Sequence, residues 1–217
     1  MNTRYLRRYT DLPALIYLLT KKQITLLDPE SWDDKNDSRY LQLYRERREL
    51  KIVLALCFTQ ANETYHHWRV FGNGSGGVCI SFKRSALLQA LKKEPGVRAE
   101  EVKYLKLVEI RRKKAAIQDL PFLKRYPFEG ENEFRVIYES RKARIPKLDI
   151  PVPLSCIYKI TLSPWLHLVL SRDVKRMLRS IEGCSGLKIR RSTLISNEEW
   201  KRLGESASVS NQVNDST

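Results

Sequence analysis

Residues 3–29 read TRYLRRYTDLPALIYLLTKKQITLLDP, and three elements follow from this one stretch. TRYLRRYT alternates apolar and polar positions and carries two tyrosines, the pattern of a short strand. Asp11 then stands as a helix N-cap with Pro13 in the first turn. Leu12, Leu15, Ile16, Leu18 and Leu19 follow at helical spacing up to Lys22. QITLLDP is a second strand, stopped by Pro29.

Working outward, ESWDDKND is rich in turn formers and predicts a loop, and Ser38 to Leu50 predicts an exposed, charge-laced helix. KIVLALCFT (51–59) reads as a buried strand, HHWRVF (66–71) as helix, GNGSGG (72–77) as a tight turn and VCISF (78–82) as a strand. Arg84 to Lys93 predicts a helix and Val102 to Leu107 a strand, followed by a basic helix that Pro121 ends. ENEFRVIY (131–138) is rich in strand formers. RIPKLDIPVP (144–153) reads as an extended loop, CIYKITLSP (156–164) as a strand, Trp165 to Ile181 as a helix and KIRRSTL (188–194) as a last strand. Strands and helices alternate without a regular strand–helix–strand repeat. The expected fold class is therefore α+β, one domain over residues 1–203 with short central strands flanked by helices. Residues 204–217, GESASVSNQVNDST, are poor in hydrophobic side chains and predict a disordered tail.

The chain has 217 residues, 42% of them hydrophobic, enough for one sizeable core. Forty Lys and Arg face 25 Asp and Glu, a formal charge of +15. Such a field attracts polyanions, and equally describes a merely solvated basic surface. Between Lys103 and Lys114 six basic residues meet one acidic residue, a density that suits phosphate contacts. Nucleic acid is favoured over membrane, because no segment reads as an apolar-faced anchor. Cys57, Cys79, Cys156 and Cys184 show neither metal nor disulfide spacing, so reduced thiols, a cytoplasmic setting and no bound metal are expected.

Three segments carry chemistry. In EGENEFRVIY (129–138), Glu131, Glu133 and Arg135 are two apart and project on one face of a strand start. Two carboxylates beside a guanidinium can hold a sugar hydroxyl or stabilise a developing cation; an exposed strand with alternating charges gives the same pattern. Arg4, Arg7, Arg8, Tyr9 and Thr10 precede a helix start and suit a phosphate clamp, or a solvated edge strand. His66, His67 and Trp68 offer an acid–base group and a stacking ring, or a core tryptophan beside a surface histidine. Asp33, Asp34 and Asp37 are an Mg²⁺-dependent nuclease's ligands or ordinary caps and turns.

RRYTDLPALIYLLTKKQITLLDPESWDDKND, CFTQ with HHWRVFGNGSGGVCISF, and ENEFRVIY together resemble the bacterial domain-of-unknown-function family 2971. More distantly, the R-Y-T strand leading into D-L-P, with N-E-F-R-V at a strand start, is similar to ADP-ribosyltransferase toxins of the DarT type. That resemblance implies an ADP-ribosyltransferase-like split sheet and NAD⁺ as co-substrate. It also implies a nucleic-acid base as acceptor in single-stranded DNA or RNA, a toxin or phage-defence role, and an antitoxin partner. It makes Glu133 the catalytic carboxylate, puts Arg8 and Thr10 by the NAD⁺, and sets Phe58-Thr59-Gln60 where that superfamily usually has a serine. Breaking the nicotinamide–ribose bond develops positive charge that a carboxylate stabilises. Glu131 would then orient the acceptor, and Tyr9, Tyr65, His67 and Trp68 would help build the NAD⁺ site. Lys103, Lys106, Arg111, Arg112 and Arg135 would meet the nucleic acid. A non-catalytic nucleic-acid-binding or sensor module is the competing expectation.

Overall fold

The computed structural model describes residues 3–142 and 144–212. Strand β1 (Tyr5–Asp11), helix α1 (Leu12–Lys21) and strand β2 (Gln23–Leu27) occupy the opening stretch as expected. The Asp11 carboxylate accepts the Ala14 amide at 2.9 Å, and Pro13 lies in the first turn, where no intrahelical donor is needed. Lys22 ends α1 in the left-handed conformation (φ 55°), its amide bonded back to the Leu18 carbonyl. Next come α2 (Lys35–Arg47), β3 (Ile52–Thr59), α3 (Tyr65–Phe71), β4 (Gly77–Lys83) and α4 (Arg84–Leu91). The return from α3 to β4 requires glycine, because a Cβ on Gly77 would stand 1.9 Å from the Gly72 carbonyl oxygen. The remainder forms β5 (Val97–Glu101), β6 (Lys103–Leu105), α5 (Leu107–Arg112), β7 (Leu123–Arg125), β8 (Glu133–Ser140) and β9 (Lys147–Pro151). After these come β10 (Ile157–Leu162), α6 (Leu168–Ser180), β11 (Ile189–Arg191) and α7 (Glu198–Gln212).

Nine strands form one sheet in the order β11-β10-β4-β1-β3-β2-β9, with β8 beside β3 and β5 beyond β8. β3 pairs along its whole length with β8, from Ile52↔Ser140 to Thr59↔Glu133. Its opposite edge meets β1 at Arg7↔Thr59 and β2 at Leu27↔Ala55. Between those two points the sheet is split, and the fold is α+β as expected.

The two faces are covered differently. α1, α4 and α6 close one face over a continuous core that includes Leu15, Leu19, Leu56, Ile80, Phe82, Leu87, Val136 and Leu178. The other face has two separate small cores. α2 packs Leu41 and Tyr44 on Val53 and Ile137, while α3 packs Trp68 on Tyr9 and Cys79. The space between α2 and α3 lies over the split.

Four expectations change. Residues 147–151 are a strand, pairing with β2 from Leu27↔Lys147 to Gln23↔Pro151, and a proline is tolerated because β9 is an edge. β5 was not foreseen; it pairs with β8 from Val97↔Tyr138 to Glu101↔Phe134. The basic helix is short, and a 3-10 turn (Ile117–Phe122) takes its expected second half. α7 continues through 204–212, where a tail was expected, and residues 213–217 of that tail lie outside the described residues. All four cysteines are free thiols; three are buried and Cys57 is half-buried. No helix among the described residues is long and apolar enough to cross a membrane.

Candidate active site

The split opens a cavity of about 480 Å³, within the range of small-molecule sites. Ala55 to Thr59 of β3 form its floor. Arg7, Arg8 and Tyr9 of β1, with His67, Val70 and Phe71 of α3, form one wall. Trp32, Asp33, Asp34, Asp37, Lys124, Phe128, Glu131 and Glu133 form the other.

The carboxylate end is held from the backbone outward. Glu131 ends a 3-10 turn, and Asn132 takes the left-handed conformation (φ 44°) that aligns Glu133 with β8. The Glu131 carbonyl accepts the Thr59 hydroxyl at 2.5 Å and His67 Nε2 at 3.3 Å. The Asn132 carbonyl accepts the Gln60 amide at 2.8 Å, and the Glu133 amide donates to the Tyr104 hydroxyl at 2.8 Å. A carbonyl can only accept, so His67 carries its proton on Nε2 and its Nδ1 accepts from Thr64 Oγ1, 2.6 Å away. Burial lowers the pKa of this imidazole and keeps it neutral.

Arg135 organises the charges. All five of its N–H donors are used: Nε and Nη2 on Glu133 at 2.7 and 3.0 Å, Nη1 and Nη2 on Asp37 at 2.7 and 2.6 Å, and Nη1 on the Pro121 carbonyl at 2.8 Å. Lys124 Nζ lies 2.6 Å from Glu131 Oε2 and 3.5 Å from both Glu133 and Asp37. Three carboxylates thus meet two cations, one carboxylate in excess. Burial pushes the Glu133 pKa upward, but Arg135 and Lys124 outweigh it and hold the carboxyl at about 2. Burial wins at Glu131 and Asp37, whose pKa values are raised. The same two glutamates and Asp37 raise the Lys124 pKa against the opposing effect of its burial. The Cys57 thiol is pushed well up, chiefly by burial and then by Glu133.

Arg8 lines the β1 side of the cavity. Nη1 donates to the Cys57 carbonyl at 3.3 Å in the split, and no carboxylate pairs with the guanidinium among the described residues. Burial accordingly lowers its pKa. Arg7 is committed to the loop after β3, donating to the Ala61 carbonyl at 2.7 Å and to Asn62 Oδ1 at 3.1 Å.

The sequence-derived residues therefore divide. Glu131, Glu133, Arg8, Tyr9 and His67 do line one cavity. Thr10 lies outside its lining. Trp68 is not a stacking wall, because it is fully buried against Tyr9 and gives Nε1 to Glu63 at 2.9 Å. Tyr65 points away from the cavity; it is half-exposed against Trp165 and bonds Arg69. Arg135 is not a nucleic-acid contact, because it is fully buried with every donor used. Lys103 on β6, Lys106 at the start of α5, and Arg111 and Arg112 on α5 are exposed, with Lys106 Nζ 4.7 Å from the centre of the Tyr126 ring.

Asp34 caps α2 and Asp37 is ion-paired. Among the described residues no three His, Cys, Asp or Glu side chains are placed to hold a metal ion. The sequence reading missed Lys124, the pairing role of Asp37, and the rings of Trp32, Phe71 and Phe128.

No family model matches the chain, and no curated protein matches it. Among solved structures it is similar to Thermus sp. 2.9 DarT in complex with carba-NAD⁺, with a TM-score of 0.45 and 11% identity over 88% of this chain and 97% of that one. The same protein in complex with ADP-ribosylated ssDNA gives 0.46 and 10% over 88% and 95%. In complex with NAD⁺ it gives 0.45 and 10% over 88% and 96%. A likeness of this degree carries no argument about the chemistry of this chain, which rests on the geometry above.

Proposed function

We propose that this chain is a NAD⁺-dependent ADP-ribosyltransferase that modifies a base in single-stranded DNA or RNA. The observation that carries the proposal is the polarity of one cavity. A half-buried guanidinium without an acid partner, Arg8, lines it together with a clamped, ionised carboxylate, Glu133. A partly desolvated cation with no acid beside it favours an anion, and the NAD⁺ pyrophosphate supplies one. Phe71, Phe128 and Trp32 offer apolar walls for the flat nicotinamide in place of Trp68 and Tyr65.

NAD⁺ brings a ribose–nitrogen bond whose cleavage leaves positive charge on the sugar. Glu133 supplies fixed negative charge there without reorganising, because Arg135, Tyr104 and Lys124 hold its position. Glu131, with its raised pKa, is the group suited to take a proton from the acceptor as the new bond forms. Lys103, Lys106, Arg111 and Arg112 are exposed beside β7, which carries Lys124, and would meet acceptor phosphates. A cytoplasmic toxin or phage-defence effector, with an antitoxin to restrain it, is the role proposed with this activity.

A second reading has its own support. Both Glu133 oxygens are engaged by Arg135, as they would be in a purely structural ion pair of a nucleic-acid-binding module. Release of nicotinamide from NAD⁺, with and without oligonucleotide, separates the two. Transferase action predicts release that Glu133→Gln lowers at least about a hundredfold. The binding module predicts none from either protein, with salt-sensitive oligonucleotide binding unchanged.

A further inference from the structure

The face that carries α3 is not covered along its whole length. α3 packs on β1 and β4 around Tyr9 and Cys79, whereas Tyr5 and Tyr158 belong to none of the hydrophobic clusters. At that open end their rings stack, with centroids 4.3 Å apart and planes 23° from parallel. Arg4 lies 5.7 Å from the Tyr5 ring, and Lys188 and Lys159 lie 5.6 and 6.0 Å from the Tyr158 ring. In the cross-strand register Tyr5 is opposite Lys83, and Ser81 lies between Arg7 and Lys159. Paired residues share a face, so this end of the sheet carries bases and tyrosines with no acid among them.

We propose that this surface is a stacking platform for single-stranded nucleic acid, which it holds on its way to the cavity. Each half-buried ring spends one face on the other, so a base would stack on an outer face, and the exposed Arg4, Lys83 and Lys188 offer charge to the backbone. A duplex keeps its bases paired and stacked inside and cannot use such rings. Phosphate contacts alone would not require the tyrosines. β1 links the platform to the cavity: Tyr5 and Tyr9 are about 13 Å apart along the strand, and Tyr9 lines the cavity. Treating the held strand as the acceptor rests on the transferase reading; the binding itself does not.

The test is fluorescence anisotropy with a labelled oligothymidylate of about twelve nucleotides, without NAD⁺, and the matching duplex as comparison. Tyr158→Leu and Tyr5→Leu should each weaken single-strand binding roughly tenfold, with Tyr158→Phe close to wild type. Lys188→Gln should lower the slope of log affinity against log salt by about 0.7. Nicotinamide release from NAD⁺ alone should stay at the wild-type rate in all of them. Single-strand affinity retained in Tyr158→Leu and Lys188→Gln, both folded by circular dichroism, would overturn the platform, as would equal losses for the duplex. Failure of the transferase reading shows differently: no release by the wild type while the platform variants still lose binding.

Discussion

Replacing Arg135 by methionine separates a structural guanidinium from a phosphate contact. Arg135 is fully buried, spends five hydrogen bonds on Asp37, Glu133 and the Pro121 carbonyl, and lies 5.1 Å from the Trp32 ring. Methionine fills much of the space but leaves two buried carboxylates with Lys124, 3.5 Å from each, as their shared cation. Breaking a buried pair in this way costs about 3–5 kcal/mol, a large share of the roughly 5–15 kcal/mol that holds a domain folded. At about 1–3 kcal/mol per molar urea, the unfolding midpoint should fall by roughly 1–5 M. Adding Asp37→Leu should recover part of the loss, since it removes one stranded charge. Urea titrations followed by circular dichroism measure the midpoints, and oligonucleotide binding per folded molecule should stay at the wild-type level. An unchanged midpoint together with lost oligonucleotide binding would refute this account of Arg135.

Three further outcomes follow from the cavity. Arg8→Met should leave the free protein about as stable as wild type, because it removes a partly desolvated cation without an acid partner, and should weaken NAD⁺ binding at least tenfold by calorimetry; destabilisation with unchanged NAD⁺ affinity would count against the anion site. Glu133 is depressed from 4.5 to about 2, so its contribution, about 3 kcal/mol, is complete above pH 4.5 and is lost as pH falls toward 2. Asp37 and Glu131 are raised and act in the opposite sense, so the acid limb of a stability profile should belong mainly to Glu133 and flatten in Glu133→Gln; an identical limb in that variant would contradict the assignment. Cys57 should resist iodoacetamide at neutral pH although it lines the cavity, because its thiol is held protonated, and rapid alkylation of the folded protein would show otherwise.

How much could be read beforehand depended on the range of each interaction. The Asp11 cap, Pro13 and the leucine spacing act within one turn, so α1 was legible to within a residue. β3, β4 and β8 were legible because long runs of apolar and β-branched residues have few alternatives. β9 was not, since Pro151 and the prolines flanking it argue for a loop unless the strand is known to lie at an edge. The site showed the same boundary. Alternation put Glu133 and Arg135 on one face, but Asp37, 98 residues away, decides that Arg135 is buried rather than solvated. Trp68 and Tyr65 sit three apart on α3 and face different surroundings, which the spacing alone did not separate.

Glu133→Ala is a poor probe of the carboxylate's role. The residue is 4% exposed and truncation would leave Arg135 short of a partner, so Glu133→Gln is the variant to use. The most direct test incubates wild type and Glu133→Gln with radiolabelled NAD⁺ and, separately, single-stranded DNA, RNA and protein, with folding of both checked by circular dichroism. The account predicts label on a nucleic acid with the wild type, and at least a hundredfold less with the folded variant. Label on no polymer, or equal labelling by both proteins, would contradict it.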